Sequence, residues 1–174
     1  MKEHKIIDII SRYFILLIFV YLFGFTRIIS DFLVRVTLFC SNFAINLIYG
    51  SRIYENTIIT GNFFIEIIPA CAAVSAYLLL ITLNITTSMS LVRRLWTLAF
   101  SLLSLFIINI IRIALLAILF INESKYYNDL HHILWYIIST LFIIGLWFLT
   151  AYIFKIRNIP VYSDIKTIIS KNVK

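Results

Sequence analysis

Residues 95–121 form a long run dominated by Leu, Ile, Phe and Ala, with Arg112 as its one charged side chain. As a helix at 1.5 Å per residue this stretch is about 40 Å long, more than the roughly 30 Å hydrocarbon thickness of a bilayer. The rest of the chain cannot cover it with polar surface, because the 174 residues are 62% hydrophobic and only 13% charged. The expected class is an integral membrane protein. Its apolar stretches follow helical rather than alternating patterns, which points to helices and not a barrel. All of 1–174 reads as one membrane domain.

Further apolar stretches raise the expectation to an all-α, polytopic fold with about five transmembrane helices. The first span is expected over 13–29, retained because no small-x-small cleavage site follows it, only Gly24-Phe25-Thr26-Arg27. Arg27, Asp31 and Arg35 would bracket a short turn before a second span over 32–49, in which Cys40 reads as a small buried side chain. A third span is expected over about 70–88 and a fourth over 95–121. The fifth would run from Asp129, a candidate helix cap, to about Phe154. Between the second and third, Gly61-Asn62 separates Ile58-Ile59-Thr60 from Phe63-Phe64-Ile65, the signal of a short extramembrane hairpin just before Cys71.

The formal charge of +7 would suggest nucleic acid in a soluble protein. Here Lys and Arg concentrate in tails and short loops, as the positive-inside rule requires, so no nucleic-acid partner is implied. Arg93-Arg94 and the basic tail 155–174 mark the cytoplasm. The 50–69 and 122–131 loops then fall outside, and five spans would leave the N-terminus outside too. Cys71, Arg112 and the pair His131-His132 come out at the extracytoplasmic face of a multi-pass cell-membrane protein.

Each of those residues interrupts an apolar stretch. Pro69 suits the first position of a helix, which would put Cys71 in the first helical turn, where the helix dipole favours a thiolate. A lone cysteine in such a run is more often structural. An arginine inside a span costs about 2.5–3.5 kcal/mol on insertion scales, so Arg112 needs a partner or a task; the bland alternative is snorkelling to the interface. Asn109, one turn earlier on the same face, is placed to orient the guanidinium or to bind a substrate carbonyl. Adjacent histidines lack the i,i+4 spacing of a metal site, so no metal is expected. One of them should point inward as a proton carrier, with His131 preferred because it stands four residues before Trp135. Cys40 and Cys71 lie at different depths, and no disulfide is expected between them.

Three blocks carry a resemblance: Pro69-Ala70-Cys71-Ala72-Ala73-Val74-Ser75-Ala76-Tyr77, Asn109-Ile110-Ile111-Arg112-Ile113 and Asp129-Leu130-His131-His132-Ile133-Leu134-Trp135-Tyr136. In order and spacing they resemble the signature blocks of the exosortase/archaeosortase family, over about 50–154 and most of all its compact archaeosortase-type members. The resemblance implies a membrane cysteine transpeptidase or protease. Its substrates would be exported surface proteins with a C-terminal sorting signal made of a short motif, an apolar helix and a basic tail. It further implies Cys71 as nucleophile, Arg112 as stabiliser of the thiolate or oxyanion, His131 as acid/base with His132 as the alternate register, and no cofactor. Ala72-Ala73 stand where many members have Ser-Gly. The competing reading is an inactive family member or a non-catalytic multi-span protein, such as a transport or assembly subunit, in which Arg112 binds lipid phosphate and Cys71 packs.

Overall fold

The computed structural model describes residues 27–156 other than Ser88, together with Phe14 and Ile18. Its elements are α1 (Arg27–Asn46), β1 (Arg52–Tyr54), β2 (Thr57–Thr60), β3 (Phe63–Glu66), α2 (Val74–Thr86), α3 (Leu91–Ile121), α4 (Tyr127–Ile133), a π-helical segment (Leu134–Ile138) and α5 (Ser139–Ile153).

Helix α3 is the axis, and α1, α2, α4 and α5 all contact it. Every fourth residue along one stripe, Thr97, Ser101, Leu105, Asn109, Ile113 and Ala117, is buried. The opposite stripe, Leu103, Ile107, Ile111 and Leu115, is exposed. Small and polar residues inward with large apolar ones outward is an arrangement that lets helices approach closely and leaves the bulk on the outside of the bundle. Buried polar groups need partners in such a setting, and Thr97 Oγ1 donates to Asn84 Oδ1 of α2 at 2.8 Å.

The all-α, five-span expectation is overturned. Among the described residues only α1 and α3 are long and apolar enough to cross a membrane. Helix α2 has 13 residues and α5 has 15; at 1.5 Å per residue these are about 20 Å and 23 Å, short of the hydrocarbon core. The apolar run at 70–88 overstates its helix because 69–73 are turns. At the other end the hydroxyls of Thr86 and Thr87 bond back to the carbonyls of Thr82 and Leu83 as the helix stops. The run at 130–154 is divided by the π-helical segment. Arg27, Asp31 and Arg35 do not bracket a turn either: they lie four residues apart on the exposed side of α1, so the local polarity is one face of a helix. The remainder of the expected first span, 13–29, and most of the basic tail, 155–174, lie outside the described residues.

The extramembrane hairpin is part of a three-stranded antiparallel sheet, order β1-β2-β3. Gly61-Asn62 joins β2 to β3, with Thr60 opposite Phe63. Gly61 takes φ +56, a conformation that costs glycine nothing sterically. The unexpected strand β1 is only three residues long and wholly exposed. It carries no burial pattern and owes its form to pairing, Ile53 with Ile58 and Tyr54 with Thr57. From the sheet side, Ile58 and Ile67 join Val34, Leu38 and Ile45 of α1 and Ile113 and Ala117 of α3 in one core that also contains Ala72. Burying a side chain the size of Ile stabilises by about 1.5–3 kcal/mol. This core fixes the sheet, and the 67–73 segment that follows it, against the C-terminal halves of α1 and α3.

Candidate active site

Cys71 does not sit in a first helical turn. Pro69 opens a series of tight turns instead, in which the N–H groups of Cys71 and Ala72 both donate to the Ile68 carbonyl, at 2.9 and 3.1 Å. The series ends at Ala73, the residue before α2, with φ 54 and ψ 35. That left-handed conformation cannot continue a right-handed helix, so the helix starts only at Val74. Ala73 therefore holds a shape that favours glycine.

The turns present the Cys71 backbone to α3. Its carbonyl accepts a hydrogen bond from Asn109 Nδ2 at 2.9 Å and another from Arg112 Nη2 at 3.2 Å. Asn109 is buried and is spent on this bond, not on orienting the guanidinium. Arg112 turns into the bundle, which does not fit the snorkelling alternative: Nη1 donates to Ser139 Oγ at 2.8 Å, and the guanidinium carbon lies 5.8 Å from the Trp135 ring centre. Its Nε is buried and has no partner among the described residues. Of the two expected sources of positive charge at Cys71, the helix start is absent and Arg112 lies against the Cys71 backbone.

Ser139 had no place among the expected site residues. Its hydroxyl donates to the Leu134 carbonyl while accepting from Arg112, and its backbone N–H bonds the same carbonyl five residues back. The π-helical segment ends at this bond. Such widened turns are frequent at functional sites. The available signal in the chain was the polar pair Ser139-Thr140 inside an apolar run, a signal of the same kind as the one that marked Asn109.

Asp129 does not cap its helix, because α4 begins two residues earlier, at Tyr127, with Tyr126 in the cap position and no side-chain cap. The two histidines consequently fall in the last turn of α4, not the first. His131 is half-buried and His132 exposed. Tyr127, His131 and Trp135, four residues apart, form an aromatic row: ring centres are 5.7 Å apart on both sides of His131, and the Tyr127 ring is nearly parallel to the imidazole. Phe120 extends the row at 5.1 Å from Tyr127.

Cys71, Arg112 and His131 all line one cleft of about 180 Å³. One wall is Phe64, Ile65, Glu66 and Ile67, and the other is Tyr127, His131 and Trp135. Asn109 stands behind the wall, holding the Cys71 carbonyl, and His132 does not line the cleft. A larger groove of about 360 Å³ between α1, α2 and α3 is bordered by residues such as Phe32, Val36, Ile81 and Phe106 and carries no charged side chain, so the reactive groups belong to the smaller one. Cys40 and Cys71 are both free thiols. No group of three potential metal ligands occurs among the described residues. No family model matches this chain, and no curated protein or solved structure does so either.

Proposed function

We propose that the chain is a membrane-embedded cysteine transpeptidase or protease of the exosortase/archaeosortase type, acting on C-terminal sorting signals of exported surface proteins. The observation that carries this reading is the convergence of Cys71, Arg112 and His131 on one cleft from three separate segments. The Cys71 thiolate attacks the scissile carbonyl carbon, forming a C–S bond and an oxyanion. Arg112 lines the cleft and has its full charge to set against that oxyanion. As the C–N bond breaks, the His131 imidazolium gives its proton to the leaving amine. A thioester remains. His131 then takes a proton from water or an acceptor amine as that group attacks the thioester, and the Cys71 thiolate leaves.

The cleft belongs on the extracytoplasmic side. Arg93-Arg94 stand near the start of α3 and Arg112 lies 18 residues further on, about 27 Å along the axis. The Arg pair is a cytoplasmic marker. An apolar helix in the substrate would hold the cleavage motif at the cleft's depth, so that recognition becomes proximity in the bilayer plane. The test compares C-terminal peptides of exported proteins, by mass spectrometry, in cells producing the wild-type chain and in cells producing Cys71→Ser. Loss of an apolar, basic tail only with the wild-type chain is expected. Identical C-termini in both would refute the reading.

A further inference from the structure

We infer that the substrate's extended segment binds as a fourth strand along the outer edge of β3, an inference that rests on the peptide-processing reading for the identity of its ligand. Strand order leaves β3 at an edge of the sheet. The two-residue loop pairs Thr60 with Phe63 and the register then pairs Ile58 with Ile65. The same phase continues where the Ile67 N–H donates to the Asn56 carbonyl at 2.9 Å. In an antiparallel ladder hydrogen-bonded pairs alternate, so the N–H and C=O groups of Phe64 and Glu66 point away from β2. No described residue bonds to them.

The cleft meets β3 at this edge. Side chains on a strand alternate between faces, yet four consecutive residues, Phe64, Ile65, Glu66 and Ile67, line the cleft. A wall of that kind is the edge of a strand and not a face. Of the devices that usually blunt an exposed edge, β3 has short length and one charge, Glu66, but no Lys, no Pro and no bulge, and its register is unbroken. Its outward donors and acceptors recur every two residues, about 6.8 Å apart. An extended peptide backbone matches that repeat, as in recognition by strand addition. Lying about 4.8 Å from β3, the added strand would run between the edge and the aromatic row of α4, with Cys71 and Arg112 beside it.

The test uses the Cys40→Ser protein, in which Cys71 is the remaining cysteine, and a thiol-reactive peptide, acetyl-tetra-alanyl chloromethyl ketone. The Cys71 sulfur displaces chloride from this probe, so labelling requires the thiol and the docking site but no turnover. Analogues methylated at each amide nitrogen in turn are compared, with iodoacetamide as a reagent that has no peptide chain. Strand addition predicts an alternating pattern: methylation of every second amide slows labelling about tenfold, the scale of one lost hydrogen bond, and methylation of the others does not. In the protein, Glu66→Pro removes an outward N–H without touching the β2 ladder. It should slow the peptide probe to a similar degree relative to the iodoacetamide rate of the same protein, and Glu66→Ala, which keeps the N–H, gives the correction for loss of the side chain from the cleft wall. Uniform rates across the methylated series would overturn the inference, and that series needs no variant to fold. Edge-dependent labelling in a protein whose Cys71→Ser form leaves all C-termini unchanged would keep the strand site and remove the peptidase reading.

Discussion

Asn109 and Arg112 donate to the same acceptor, the Cys71 carbonyl, from consecutive turns of α3. A shared acceptor has a measurable signature. Asn109→Ala alone leaves the carbonyl bonded to Arg112, and Arg112→Met alone leaves it bonded to Asn109. Each single change should cost about 1 kcal/mol, near the mean net value of a hydrogen bond and within the range measured between membrane helices. Arg112→Met also gives up the Ser139 bond and the contact with Trp135, so its own cost is the larger. Removing both strips the carbonyl of every partner, and an unsatisfied buried acceptor costs about 1–3 kcal/mol. The cost of the double variant should therefore exceed the sum of the single costs by about 1 kcal/mol, more than the roughly 0.3–0.5 kcal/mol scatter of independent sites. In detergent-solubilised protein, thermal unfolding reads this as an extra drop of about 2–4 °C beyond the sum of the single shifts. Strict additivity would mean that the two side chains do not share the carbonyl, and the clamp on the Cys71 turn would be wrong.

Other consequences follow from single contacts. Ser139→Ala removes the acceptor that orients Arg112; processing of a sorting-signal substrate should slow about tenfold or more through misplacement, with KM little changed and Ser139→Thr restoring most of the rate. His131→Ala should lower the rate of tail removal on the order of 10²–10⁴-fold, the usual loss for a missing acid/base. His132→Ala should leave most of it, since His132 does not line the cleft. Ala73→Gly should raise the melting temperature by a few degrees, because a left-handed alanine costs roughly 1–2 kcal/mol and glycine does not. Gly61→Ala should do the opposite at φ +56, by about 1 kcal/mol, with no steric contribution since the space around it is open.

The residues that meet at the cleft were legible because each breaks an apolar run, and the cost of placing Arg112 among Ile and Leu is a property of one position. Their partners were not. Ser139 lies 27 residues from Arg112, and its bond depends on a π-helical segment that no periodicity announces. Helix number was legible only as apolar length, which does not say where a regular helix stops. The start of α2 depends on the backbone of Ala73, and the division of the last apolar run on the carbonyl of Leu134. Strand β1 has three exposed residues and forms by recruitment to β2. The hairpin turn was legible because Gly61-Asn62 between β-branched and aromatic residues has a specific backbone requirement. Charge spacing misled at Arg27, Asp31 and Arg35, where residues four apart suit a helix face as well as a loop.

The most direct measurement is of the covalent state of Cys71. Protein purified from its own membranes in the Cys40→Ser form would be digested, and adducts on the peptide containing Cys71 identified by mass spectrometry before and after hydroxylamine. The account predicts a hydroxylamine-labile acyl adduct on Cys71 whose mass matches an exported protein cut ahead of its apolar C-terminal helix. Continued removal of that helix by the Cys71→Ser protein would contradict it.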